Sequence, residues 1–509
     1  MTRYTQSIAA LGARKIFGLS LGIILAVVIL AFFDLDPENP AVTRCAAVAV
    51  LMACWWLTEA IPIAATALVP VVLFPLLGVT SGKIVASAYF NNVIFLFLGG
   101  FMVAIAMQRW ELHRRIAIRI ITLIGLSPNR IVFGFMAATA FLSMWISNTA
   151  TAMMMVPIAL AIITRLEDLG DTGPARKLSV PLLIGIAYAA SIGGIATLIG
   201  TPPNLAFSRI FEISFPNAPE ISFAQWMLFG VPFAIVFLVI AWWVLIRIFV
   251  RDGIEYESKE ALFTGETGSM GKMSFEEKVI SICFGALALL WIFRQDIPLG
   301  DFIIHGWSDL FPEASYIDDG TVAIAVALLL FLIPSKNRPG DRILRWRDAV
   351  ALPWGIVILF GGGFALATGF RDSGLSIWLG SQMSGLGVYH PVFIVAMIGL
   401  TMTFLTELTS NTATTQMILP ILASLGMALN LNPLLLMIPA TLSASCAFML
   451  PVATPPNAII FGTDKVTIGQ MARSGIILNL IGVVLITIAV YFLGNLVFGI
   501  SLEEYPVWG

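Results

Sequence analysis

Apolar runs of about one bilayer's length recur along the chain, at 16–33, 42–57, 62–79, 92–109, 181–212, 226–249, 276–293, 321–334, 353–370, 433–461 and 475–500, separated by short polar stretches. A helix crosses a hydrocarbon core of about 30 Å with about 20 residues. Only helices or closed barrels satisfy every backbone polar group there. The pattern therefore predicts about eleven transmembrane helices. One run fits neither a single nor a double crossing: residues 131–164 carry no charge over 34 positions. Folded as a hairpin with Ser147, Asn148 and Thr149 at its tip, each arm of about 16 residues reaches roughly 24 Å at 1.5 Å per residue. The tip then passes the midplane without crossing, and non-helical backbone at that depth must line protein or a water-filled cavity.

Lys and Arg concentrate in alternate loops: Arg3, Arg14 and Lys15; Arg109, Arg114, Arg115, Arg119 and Arg130; Arg165, Arg176 and Lys177; Arg247, Arg251, Lys259, Lys272 and Lys278; and Lys336, Arg338, Arg342, Arg345 and Arg347. The intervening loops are acidic or neutral, which predicts a cytoplasmic N-terminus and an external C-terminus. Residues 111–125 put Leu112, Ile116, Ile120 and Leu123 on one face and Arg115, Arg119 and Thr122 on another. They read as a helix in the membrane interface or, equally, as an extension of the preceding span.

Composition agrees with the pattern. With 59% hydrophobic and 11% charged residues and a mean hydropathy of +0.94, the chain is a polytopic membrane protein. A net charge of -2 gives no reason to expect nucleic acid. Residues 16–33 resemble a signal peptide's apolar core but lack a cleavage site, so they read as a retained span. Cys45, Cys54, Cys283 and Cys446 lie in apolar segments without metal-binding spacing and are expected to be free thiols.

The chain repeats itself. Phe97-Leu-Gly-Gly-Phe101 returns as Phe360-Gly-Gly-Gly-Phe364, and Ser147-Asn148-Thr149 as Ser410-Asn411-Thr412, both 263 positions later. Thr201-Pro202-Pro203-Asn204 returns as Thr454-Pro455-Pro456-Asn457 after 253. Equivalent spans are five crossings apart, and an odd number reverses orientation. These are inverted repeats, which place substrate and coupling ions where interrupted segments of the two halves meet. The division expected is 1–40 for the N-terminal segment and first span, 41–250 for the first repeat with hairpin 128–166 and broken helix 181–212, 251–275 for a cytoplasmic linker, and 276–509 for the second repeat. The last holds an external excursion at 294–320, hairpin 390–430 and broken helix 433–461.

Each hairpin tip ends one helix and begins another. Ser, Asn and Thr cap helix N-termini, where exposed amides and the positive dipole end favour an anion. The tandem prolines are expected to unpair the carbonyls of Leu198 and Ile199, and of Pro451 and Val452, with Asn204 and Asn457 helping to start the second half-helix. Freed carbonyls with hydroxyl and amide oxygens make hard ligands for a small cation such as sodium. Glu407, beside the second tip, has only Met144 at its counterpart; the reading favoured is a structural carboxylate satisfied by nearby helix-start amides. No enzyme or nucleotide-binding motif appears, and no Lys or Arg stands at either tip.

At these residues the sequence resembles the divalent anion:sodium symporter family, the INDY-type di- and tricarboxylate transporters. The resemblance implies an all-α homodimer in a bacterial plasma membrane, with two re-entrant hairpins and with scaffold and transport domains that move as an elevator. It places one sodium site at Ser143, Ser147, Asn148 and the Gly200 carbonyl, and a second at Thr406, Thr409, Asn411 and Ala453. The substrate would meet Ser147, Asn148, Thr149, Thr201, Pro202, Ser410, Asn411, Thr412, Thr454 and Pro455. Thr in both tripeptides favours succinate, malate or fumarate over citrate. The alternatives are a sodium-independent exchanger or citrate transporter and, more remotely, an anion channel or membrane-embedded enzyme.

Overall fold

A computed structural model describes residues 2–125, 127–168, 172–250, 271–299, 302–501, 505–506 and 508. Most of the linker expected at 251–275, together with Asp301, Glu503 and Glu504, lies outside the described residues. The chain is nearly all helical. Among the described residues eight helices are long and apolar enough to span a membrane, nine if one sharply bent pair counts as a span; Ile63–Leu77, Asp319–Leu332 and Leu434–Ala444 are shorter apolar helices.

The repeat is visible in where helices begin. Leu112–Ile124 and Leu375–Met383, Pro128–Ser143 and Pro391–Thr406, and Asn148–Asp168 and Asn411–Ala428 start 263 residues apart. The residue before the first of these pairs is left-handed in both copies, Glu111 at φ 56° and Gly374 at φ 78°. That turn makes Leu112–Ile124 a separate helix rather than an extension of Asn92–Arg109. Its buried residues are Leu112, Ala117, Ile118 and Ile121, while Leu123 is exposed. The buried face is thus rotated from the one the apolar pattern suggests, because the helix packs on the hairpin arm Pro128–Ser143.

The copies are intertwined. Asn92–Arg109 packs on Asp319–Leu332 of the second repeat, and Trp354–Asp372 packs on Ile63–Thr66 and Val69–Leu77 of the first. Glycines of the repeated motif make both contacts: a Cβ on Gly99 would lie 2.6 Å from the Ala323 carbonyl carbon, and one on Gly362 would lie 2.4 Å from the Ala67 oxygen. Overpacking of this kind costs roughly 1–3 kcal/mol or more. Gly362→Val should therefore lower the melting temperature of the detergent-solubilised protein by several degrees. Gly355→Ala, where a Cβ would sit 3.8 Å from its nearest neighbour, should leave it unchanged.

Charged groups tie the loops to the helix ends. Arg294 is buried with its guanidinium 2.6 Å from Asp319 and 2.8 Å from Glu220. Arg109 reaches Asp341 at 2.6 Å and Asp348 at 2.8 Å. Hydrogen bonding from Arg345, working against partial burial, holds Asp348 below the ordinary carboxylate range. The excursion at 294–320 contains a short antiparallel pair, Ile297–Leu299 with Phe302–Ile304, followed by the turn Trp307–Leu310.

Candidate functional site

Both hairpin tips fold the same way. The first arm ends at Ser143 and the second begins at Asn148, with Trp145 and Ile146 buried in the turn between them. Trp145 meets Phe284 edge-on at 4.9 Å, which fixes the turn. Ser147 caps the departing helix: its hydroxyl accepts from Ala150 N at 3.3 Å and its carbonyl from Thr151 N at 2.9 Å. Ser410 repeats this with Ala413 N at 3.5 Å and Thr414 N at 2.9 Å.

One amide atom of Asn148 lies 2.7 Å from Ser143 Oγ, 3.0 Å from Ala190 O and 3.3 Å from Gly200 O. Ser143 Oγ itself lies 2.7 Å from Ala190 O. A hydroxyl carries one proton, so it cannot satisfy this group alone. With the amide nitrogen in that position, Asn148 donates to its neighbours. With the oxygen there, four hard oxygens converge, a donor set suited to a small cation. Ser143, Asn148 and Gly200, three of the four positions the resemblance implied, are thus brought together, while the hydroxyl of the fourth, Ser147, caps Ala150 N. The Ala190 carbonyl is an addition that no side-chain motif could reveal.

The second tip has a similar core. Thr406 Oγ1 lies 2.5 Å from Asn411 Oδ1 and 2.9 Å from Ala444 O. Thr409 departs from the set: its hydroxyl is engaged with Leu405 O at 2.8 Å and Thr414 Oγ1 at 2.7 Å. Ala453 is buried in the second helix break, at the position equivalent to Gly200.

The breaks correct the expected role of the prolines. Helix Thr172–Ile195 stops well before Pro202–Ser214 begins, and Leu434–Ala444 before Pro455–Phe461. Each proline pair occupies the first turn of the second half-helix, where a missing N–H leaves nothing unpaired. Nor do the asparagines start those half-helices. Asn204 Nδ2 reaches back to Gly194 O at 3.1 Å, Ile195 O at 3.3 Å and Thr197 O at 2.7 Å, and Asn457 Nδ2 to Ala447 O at 3.1 Å and Leu450 O at 3.0 Å. Asn204 thus gathers carbonyls from the end of its first half-helix and the break, and Asn457 carbonyls of the break itself. The Thr454 hydroxyl accepts from Asn457 N at 3.4 Å, whereas Thr201 makes no side-chain cap.

Tip and break are joined differently in the two copies. In the first, the Thr197 hydroxyl donates to Met144 O. In the second, Glu407 accepts from Met449 N and Asn479 Nδ2 at 2.8 Å each and from Leu450 N at 3.0 Å. The two backbone amides belong to the break rather than to a helix start, and Asn479, on the helix Ile468–Phe498, was not legible as a partner because it lies 72 residues away.

The second half of each broken helix packs on the other copy's hairpin, Pro202–Ser214 on Asn411–Ala428 and Pro455–Phe461 on Asn148–Asp168. This draws both tips and both breaks into one region. Ser147, Asn148, Thr149, Pro202, Ser410, Asn411 and Thr412 are half-buried there and Pro455 is exposed, whereas Thr201 and Thr454 are buried. Two helix N-termini with accessible polar side chains can receive an anion beside oxygen clusters that can receive cations.

The model of the sodium:sulfate symporter transmembrane region matches residues 13–500. The chain belongs to this family. It is an integral multi-pass membrane protein of a transporter family, the divalent anion:sodium symporters. A sodium-dependent dicarboxylate transporter of Staphylococcus saprophyticus is 47% identical over 497 residues, covering 96% of this chain and 93% of that protein. Its counterpart in Staphylococcus aureus strain RF122 is 46% identical over 501 residues, covering 97% and 94%. The crystal structure of the Alcanivorax borkumensis YdaH transporter, described as having an unusual topology, aligns with a TM-score of 0.54 at 15% identity, over 84% of this chain and 88% of that one. That likeness is one of fold alone.

Proposed function

We propose that the chain is a sodium-coupled symporter of C4-dicarboxylates such as succinate, malate and fumarate. The observation that carries this is the convergence of Ser143 Oγ, the Asn148 amide and the Ala190 and Gly200 carbonyls beside a capped helix N-terminus, repeated in outline at Thr406, Asn411 and Ala444; turning the amide oxygen inward completes the donor set for a cation. No Lys or Arg stands at either tip. A dianion brought there meets only neutral donors, and burying its charge without counter-charge costs several kcal/mol. Sodium ions held at the two oxygen clusters supply the missing positive charge. Neither substrate enters well alone, which is coupling.

In this reading the carboxylates meet Ser147, Asn148 and Thr149 on one side and Ser410, Asn411 and Thr412 on the other, with Thr201, Pro202, Thr454 and Pro455 flanking. Sodium takes Ser143, Ser147, Asn148 and the Gly200 carbonyl in the first copy. In the second it takes Thr406, Asn411 and the Ala453 carbonyl, with Thr409 rotating away from Thr414 to join them. The protein works as a homodimer in a bacterial plasma membrane, N-terminus inside and C-terminus outside, its hairpins and broken helices travelling as the elevator's moving part. The names borne by relatives at 46–47% identity support both the ion and the substrate class.

The test is uptake of radiolabelled succinate into proteoliposomes with no internal substrate, under an inward sodium gradient and then with potassium in its place. Uptake that requires sodium is expected. Uptake that ignores sodium and needs preloaded dicarboxylate would make the protein an exchanger.

A further inference from the structure

We propose that Asp296, His305 and Asp309 form a surface site for a zinc-class divalent metal ion, on the excursion between the helices Phe275–Ile292 and Asp319–Leu332. The three side chains are exposed, and one ligand atom from each lies within 4.8 Å of the others. His305 Nδ1 is 3.6 Å from Asp296 Oδ1. Two ligands on a tetrahedral zinc with bonds of about 2.0–2.2 Å stand roughly 3.4 Å apart, so this pair is already close to its bound spacing.

The arrangement is built by the backbone. Pairing of Ile297 with Ile304 sets Asp296 and His305 opposite each other at the open end of the strand pair. Gly306 N donates to Asp296 Oδ1 at 2.7 Å, and only glycine fits there, since a Cβ would lie 2.4 Å from Arg294 O. The following turn, which presents Asp309, is pinned by Trp307 Nε1 to Leu290 O and by Ser308 Oγ to Arg294 O, both at 2.7 Å. Arg294 is in turn held by its buried pairing with Asp319. All three candidate ligands therefore stand on a platform anchored in the helices, which is what a metal site needs of its support.

The ligand types choose the metal. Calcium and magnesium prefer oxygen throughout, whereas an imidazole with two carboxylates suits zinc and its neighbours. Three protein ligands leave a coordination position for water. Asp309's carboxylate has no hydrogen bond or ion pair among the described residues, so it need not abandon a partner to bind. The site is separate from the tips and breaks, and it stands or falls independently of the transport reading.

The experiment uses the full-length protein in detergent, stripped with EDTA and titrated with zinc chloride against a chromophoric chelator. A variant carrying Asp296→Asn, His305→Ala and Asp309→Asn together supplies the background from His113, His390 and the four cysteines. The expected result is one more zinc equivalent bound by the wild type than by the triple variant. Each single substitution should weaken that equivalent at least tenfold, and excess magnesium should not displace it. Size-exclusion profiles establish that the variants remain folded. Identical titrations of wild type and triple variant would overturn the proposal and leave the three residues an exposed polar cluster.

Discussion

Asn148→Ala should abolish sodium-dependent succinate uptake in proteoliposomes while the protein still purifies as a single species; Asn411→Ala should do the same. Each asparagine plays two parts in the proposed site. Its side chain belongs to an oxygen cluster, and it is the first residue of a helix whose N-terminus faces the substrate region. One interaction with a charged group is worth roughly 1.5–3 kcal/mol, which is about ten- to a hundredfold in affinity. Losing it for cation and anion together multiplies the effect. The helices themselves survive, because the caps are Ser147 and Ser410. Near-normal transport by either variant would remove the basis of the assignment.

A subtler substitution has an effect almost as large. Gly194 closes the first half-helix against the tip, and a Cβ there would lie 2.6 Å from Asn148 Oδ1 and 3.2 Å from Gly200 O. Contacts that short do not persist, so Gly194→Ala displaces the Asn148 amide, the Gly200 carbonyl or both, without removing any proposed ligand. The sodium concentration for half-maximal uptake should rise at least about tenfold, since misplacing a positioned group by about 1 Å can cost a hundredfold. The equivalent position in the second copy is Ala447, which shows that the two tips do not approach their breaks equally closely. Ala447→Gly should therefore leave that concentration within about twofold of wild type. Equal sodium dependence in Gly194→Ala and wild type would mean that the first cluster does not bind the ion.

Much of this architecture was legible in the sequence because the membrane restricts what apolar runs can do. An uncharged stretch too long for one crossing and too short for two predicts a helical hairpin, seen here as Pro128–Ser143 and Asn148–Asp168 about a turn, and recurrence at a fixed spacing identifies its partner. The tip side chains were legible for the same reason, since polar residues within so long an uncharged apolar run are few. Carbonyl groups were not. Ala190 and Ala444 contribute through their backbones, and an alanine in an apolar helix carries no mark of that.

The prolines misled because a proline pair inside an apolar run looks like a break in progress, whereas here it marks the first turn after the break. Asn204 and Asn457 act backwards across that gap, a choice between capping the helix ahead and the helix behind that composition cannot make. Long-range partners were equally hidden. Asn479 on Glu407 and Asp319 on Arg294 depend on how whole helices pack. The strand pair in the excursion has three residues a side, too few for alternation to register.

The most direct measurement of the central claim is simultaneous uptake of radioactive sodium and radiolabelled succinate by the same proteoliposomes. Two oxygen clusters flanking one dianion predict that each succinate entering brings at least two sodium ions, and that sodium entry stops when succinate is omitted. Succinate that accumulates without sodium entry, or sodium that enters as fast without succinate, would contradict the account.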